Sequence, residues 1–329
     1  MSSVKIALAL LAPLAACIHT TTDDVPHAVA ASGNHVVVAA SADTTTTGGF
    51  GCGGGLAPTG PAVVFVSDDD GASFARVEPD DDRALVKIVA HGGQFLGLTH
   101  GDFGAAVLAS TDGRTWTEVV PADTARGSAH DLVATRDGIY LPYATGYLSS
   151  SDGVTWTDHA ASTGWYNPVM TATRGALVVG TGNGSLDVSR DGAAWSQLDM
   201  PELSWVSQVA PLGDDVLVTA ETNTNVIARV DLATRAIVQT ITGVGPVLVT
   251  PAGILDHGTG RLAPVTGSGI GAFADHAPAF ADGAVDGNRL ALLTPDNLTN
   301  PSAWSVVVSN DGGATFARAV TLPAVSSHD

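Results

Sequence analysis

Short runs of apolar, often β-branched residues recur along the chain, each closed by Gly, Asp, Asn or Pro. Val63-Val64-Phe65-Val66, Val86-Lys87-Ile88-Val89-Ala90, Gln94-Phe95-Leu96-Gly97-Leu98 and Ala105-Ala106-Val107-Leu108-Ala109 are early examples. Val169-Met170-Thr171-Ala172, Ala176-Leu177-Val178-Val179-Gly180 and Ser185-Leu186-Asp187-Val188 repeat the plan later, and Val306-Val307-Val308 lies near the end. Runs of this length and composition, bounded by turn formers, predict strands joined by hairpins.

One turn returns five times. Ser67-Asp68-Asp69-Asp70-Gly71-Ala72-Ser73-Phe74 and Ser309-Asn310-Asp311-Gly312-Gly313-Ala314-Thr315-Phe316 are the long form. Ser110-Thr111-Asp112-Gly113-Arg114-Thr115-Trp116, Ser150-Ser151-Asp152-Gly153-Val154-Thr155-Trp156 and Ser189-Arg190-Asp191-Gly192-Ala193-Ala194-Trp195 are one residue shorter. A carboxylate can accept hydrogen bonds from nearby backbone N–H groups, and Gly takes the positive φ of a reversal without a Cβ penalty. The aromatic that follows anchors the turn to the layer beneath. These roles account for Asp69, Asp112, Asp152, Asp191 and Asp311 as turn builders.

The closing aromatics stand at 74, 116, 156, 195 and 316, in steps of 42, 40, 39 and 121 residues. The last step leaves room for two repeats without a marked turn. A period near forty residues with four short strands in each repeat predicts an all-β, seven-bladed β-propeller of four-stranded antiparallel blades. The repeats fall at residues 27–78, 84–120, 128–159, 167–198, 205–242, 244–274 and 277–322, within one propeller domain spanning 27–325. Blade six is the least regular, with a strand at 262–266 whose Pro264 suits an edge. Blade one is expected to close the ring by packing on blade seven.

The five turns resemble the Asp-box, or bacterial neuraminidase repeat, of sialidases, sortilin-type receptors and the photosystem II assembly factor family. That resemblance covers about residues 27–325 and implies the fold; it does not fix an activity, because one architecture hosts many. A sialidase would need three arginines converging on a substrate carboxylate, a Tyr nucleophile assisted by Glu, and an acidic Asp. Here only Arg83 and Arg126 fall in loops opposite the repeated turns. Arg114 and Arg190 lie inside the turns, Arg136 and Arg174 lie in corners on the same face, and the Phe-Arg-Ile-Pro type motif is absent. A non-catalytic protein- or glycan-binding module is therefore expected, with an exo-acting, sialidase-like glycoside hydrolase as the alternative.

Residues 1–16 read as an export signal, with Lys5 before a short apolar run. Leu14-Ala15-Ala16-Cys17 resembles the lipobox of bacterial lipoproteins, which implies a lipidated Cys17 and a membrane anchor at the cell envelope, in the periplasm or on the cell surface. Residues 17–26 read as a polar tether. Cys52, in a Gly-rich insertion at 42–60, is the other cysteine; it would be unpaired beside a lipidated Cys17 and could bridge an unmodified one. The 33 acidic residues against 14 basic, two of them Lys, give a formal charge of −19. Nucleic acid is a poor partner for such a field. The carboxylates are spread one per repeat, so neither a metal nor another cofactor is expected, and nothing in the chain calls for an oligomer.

Ligands of such rings are expected on the face opposite the repeated turns. The loops assigned there carry Asp102, Phe103, Tyr143, Tyr147, Trp165, Tyr166, Glu202, Trp205 and Glu221. Aromatics beside acids suit a sugar or peptide, while Trp165 and Trp205 would equally serve as caps between blades. His100 and His130 lie in the same loops without a second ligand at metal spacing.

Overall fold

Each repeat folds as a meander of four antiparallel strands, and seven such sheets surround a central channel as a β-propeller. The computed structural model describes residues 19–47, 61–80, 83–100, 104–126, 129, 131–161, 164–220, 225–267, 269–298, 301, 303–317 and 319–323. The export signal, Cys17, Cys52, Asp102, Phe103, His130 and Glu221 lie outside the described residues. Within every blade the first two strands meet at a two-residue corner, as in Ser32↔His35, His91↔Gln94 and Asp286↔Arg289. Alternating Val, Leu and Ile on the middle strands fill the space between blades; Val216, Val218, Ala228 and Val230 of blade five pack against Val178 and Leu186 of blade four. Each such side chain contributes roughly 1.5–3 kcal/mol when fully buried.

Two boundaries differ from expectation. Blade one starts at His19, inside the segment read as a tether, because its first strand, His19–Ser32, pairs with His35–Thr47 along its whole length. Thr20, Thr21 and Thr22 face Thr46, Thr45 and Thr44 across that ladder. β-branched residues favour extended backbone, so a polar stretch that reads as a linker adds a threonine hairpin to the blade. Blade six keeps four strands, Val247–Thr250, Gly253–Asp256, Arg261–Ala263 and Ala274–Asp275. Pro264 ends the third of these instead of sitting within it, and Val265–Thr266 pairs with Gly269–Ile270 as a separate small hairpin. A missing N–H stops the ladder at the proline.

The repeated turn has one hydrogen-bond plan. The Ser hydroxyl donates to the Asp carboxylate at 2.8–3.1 Å and accepts from the Gly N–H at 2.8–2.9 Å. In the short form Oδ1 accepts two backbone N–H groups, from Arg114 and Thr115 in blade two. In the long form it accepts one, and Oδ2 takes a hydroxyl in addition: Ser73 Oγ on Asp69 and Thr315 Oγ1 on Asp311, both at 2.6 Å. The extra residue of the long form is also left-handed, Asp70 at φ 61° beside Gly71 and Gly312 beside Gly313. Blade five carries a sixth, eroded copy: Asp231 Oδ1 accepts from Ala233 and Thr234 at 2.8 and 2.9 Å without the Ser or the Gly.

These turns also fasten neighbouring blades. A Cβ on Gly113 would stand 2.6 Å from Val37 of blade one, and one on Gly71 would stand 2.8 Å from Val308 of blade seven. Trp116 and Trp156 donate their indole N–H to the carbonyls of Gly113 and Gly153, at 3.0 and 3.2 Å. In blade four Tyr147 reaches across from blade three and donates to the equivalent Gly192 carbonyl at 3.1 Å, leaving the buried Trp195 N–H without a partner. Side chains from the first corners bond the turns, as in Asn34 Nδ2 to the Asp68 carbonyl at 2.6 Å, so corners and turns share one face.

The ring closes without exchanging a strand between its first and last blades. Blade seven meets blade one through Asp282 on the Val29 N–H at 2.9 Å and Asp286 on the Gly33 N–H at 3.1 Å. Arg289 stands at ion-pair distance from Asp70, 3.1 Å, without hydrogen-bond alignment. Val29, Val36, Val38 and Phe65 pack with Leu293, Val306 and Val308 behind these contacts.

Two outcomes follow for stability. Gly113→Ala combines a left-handed φ of 71° with a Cβ only 2.6 Å from the Val37 side chain, so chemical denaturation should show a loss of roughly 2–4 kcal/mol. Gly175→Ala, in open space, should be nearly neutral. The turn hydrogen bonds hold the carboxyls of Asp69, Asp152 and Asp311 down to about 2. A depressed carboxylate stabilises the fold above its ordinary value, near 4, and loses that contribution as pH falls toward 2. Urea midpoints should therefore drop across this window, and the Asp152→Asn variant should show a shallower drop.

Candidate functional site

All seven first strands are edge strands, and they enclose a channel of about 1090 Å³. Edge strands carry backbone groups with no ladder partner. Counting back four residues from the last residue before each corner gives one ring of equivalent positions: Ala28, Lys87, Asp131, Val169, Gln208, Pro246 and Asp282. Three of the polar members clasp the next blade at the same place. Asp282 accepts from Val29 N–H at 2.9 Å, Asp131 from Met170 N–H at 3.2 Å, and Gln208 from Val247 N–H at 2.8 Å. Gln208 Nε2 also donates to the Val247 carbonyl at 2.8 Å. The fourth member, Lys87, supplies the positive charge.

The electrostatics of this ring are coupled. Asp282, and then Asp131, raise the basicity of Lys87 against the opposing effect of burial. Burial raises the Asp131 carboxyl above its ordinary value, with Lys87 and the Met170 N–H offsetting part of that shift. His257 joins the lining from blade six, its ring 4.3 Å from Phe280. Burial lowers its basicity and its Nε2 is enclosed without a partner. At the end beside the repeated turns the channel is lined by Thr135, Arg136, Asp137, Thr173 and Arg174.

The residues assigned to the opposite face have divided roles. Tyr143, Tyr147 and Trp165 are buried between blades. Tyr143 donates to Asp158, and burial followed by that carboxylate raises its phenol; burial pushes the Tyr147 phenol up to about 12. Tyr147 stacks on His159 at 4.5 Å, and Trp165 meets Trp195 edge-on at 5.1 Å while donating to the buried Asp187 at 2.7 Å. Trp165 thus takes the capping role that its position left open. Tyr166, 61% exposed, and the half-buried Trp205 form an edge-to-face pair at 5.7 Å, 88°. Gly182 lies beneath them, where a Cβ would stand 2.8 Å from Tyr166 and 3.3 Å from Trp205. Glu202 is exposed nearby in sequence. None of the six described members of the set lines the channel.

The arginines are dispersed. Arg83 pairs with Glu118 at 2.9 Å, Arg126 lies 3.8 Å from both Asp123 and Asp158, and Arg114 pairs with Asp68 at 2.7 Å. Arg136 and Arg174 reach the channel from adjacent blades, and among the described residues no third guanidinium lines it. The channel ring escaped notice in the sequence. Its signal was a polar residue within or just before an otherwise apolar first strand, visible at Lys87 and Asp131 once the strands are aligned on their corners.

No family model and no curated protein matches the chain. Among solved structures, a chain of a mitotic checkpoint complex is similar over 89% of this chain and 96% of its own, at 14% identity and a TM-score of 0.58. The WD40 β-propeller domain of Doa1 is similar over 92% and 94%, at 10% identity and a TM-score of 0.56. YCF48 from Cyanidioschyzon merolae aligns over 92% and 87%, at 10% identity and a TM-score of 0.47. The first two likenesses, at these identities, show the propeller fold alone.

The clasp of blade five on blade six has a measurable worth. Gln208→Leu removes the partners of both Val247 backbone groups, so urea denaturation should show a loss of about 1–3 kcal/mol with an unchanged slope.

Proposed function

We propose that this chain is a lipid-anchored propeller of the Asp-box repeat type that presents a protein- or glycan-binding face at a bacterial cell envelope, without catalysis. The observation that carries the reading is the Tyr166–Trp205 pair, a rigid aromatic corner that blade packing does not consume. Amphipathic rings of this kind supply large contact area at small entropic cost. Glu202 adds an acceptor beside them. The neighbour in the mitotic checkpoint complex is, by its description, a component of a protein assembly, and the same architecture serves that use here. Lipidation of Cys17 would hold the ring at a membrane surface through the short segment before His19.

Two measurements test this. Cys17→Ser should move the protein from the membrane fraction to the soluble exported fraction; retention in the membrane would overturn the anchor. Capture from detergent-solubilised envelope should recover a protein or glycan with the unaltered chain, reduced at least about tenfold by Tyr166→Ala with Trp205→Ala. Equal recovery with the double variant, or saturable release of sugar from aryl glycosides, would overturn the binding assignment.

A further inference from the structure

Lys87 is the one lysine beyond residue 5. Its side chain projects into the channel, where Asp282 and Asp131 act on it through space. Among the described residues no carboxylate comes within ion-pair distance of its ammonium and no hydrogen bond to it is formed. The two carboxylates each commit Oδ2 to a backbone N–H of the next blade, and their Oδ1 atoms take no side-chain donor. Three charged groups therefore line one level of a roomy channel, and none of them is paired with another side chain among the described residues.

A ligand that satisfies all three must present an anion to Lys87 and a cation to each carboxylate. A single ammonium would answer the two acids but be repelled by Lys87, and a carboxylate alone would answer Lys87 but be repelled by both acids. The ring's own sum is one negative charge, from Lys87 against Asp131 and Asp282. Burial lowers the basicity of His257, and Gln208 is already committed to Val247. From this arrangement we infer that the channel is a binding site for a basic amino acid, with the carboxylate on Lys87, one ammonium on Asp131 and the other on Asp282.

Calorimetric titration of the full chain, purified in detergent, separates the parts of this assignment. The probes are L-lysine, L-norleucine, which lacks the second ammonium, and cadaverine, which lacks the carboxylate. L-lysine should bind at least about tenfold more tightly than either. Asp131→Asn keeps the acceptor for Met170 and should weaken L-lysine by a similar factor. Lys87→Met should invert the order, because it removes the partner of the carboxylate and the repulsion felt by a diamine, so that cadaverine binds at least as tightly as L-lysine. No heat with any probe, equal binding of the three, or an unchanged order in Lys87→Met would overturn the inference. The Tyr166 and Trp205 variants should leave L-lysine binding intact, so failure here is distinct from failure of envelope capture.

Discussion

A ring of sheets that shares no strand between its first and last blades must hold itself shut by side chains. Each blade is continuous in sequence, so the innermost strand of every sheet offers unpaired N–H and C=O groups to the channel and to the next blade. At one register position this chain turns that liability into closure. Asp282, Asp131 and Gln208 bond the backbone of blades one, four and six, and Lys87 balances part of the charge that the two acids bring. The seam between blades seven and one uses the same device, with the apolar cluster around Val38 and Val308 behind it.

The outer side of the ring is fastened by a different chemistry. There the repeated turn spends its carboxylate on its own backbone and its glycine on close approach to the preceding blade. Because the carboxylates accept donors from their own turns, they hold a shape and face no common pocket. Any chemistry falls to the channel or to the opposite face. Among the described residues the channel gathers uncommitted charge, and the opposite face contributes exposed aromatic surface at Tyr166 and Trp205.

The fold was legible because the turn leaves a strong mark: Ser, Asp and Gly at fixed offsets, with Trp or Phe behind, repeat at the blade period. Where the mark erodes, the structure still keeps the bond, as Asp231 does in blade five without its glycine. The start of blade one was hidden because threonine-rich sequence is equally at home in a polar linker, and only its pairing with Thr44–Thr47 decides the matter. Aromatics in loops were ambiguous for a related reason. Tyr143, Tyr147 and Trp165 look like ligand contacts in one dimension, yet His159, Asp187 and Trp195 arrive from distant positions to enclose them. The ring of Lys87, Asp131, Gln208 and Asp282 was invisible for want of alignment, since each residue alone is an ordinary polar interruption of a strand.

Closure by side-chain clasps is tested most directly by native-state hydrogen exchange of the inner-strand amides, which border a channel large enough for water. The Val29, Met170 and Val247 amides, each bonded across a blade boundary, should exchange far more slowly than those of Ile88, Val209 and Gly283, which hold the same register but follow Ala28, Val169 and Pro246 of the preceding blades, residues with no side-chain acceptor. Similar exchange at both sets, with Val29 as fast as Gly283, would contradict the account.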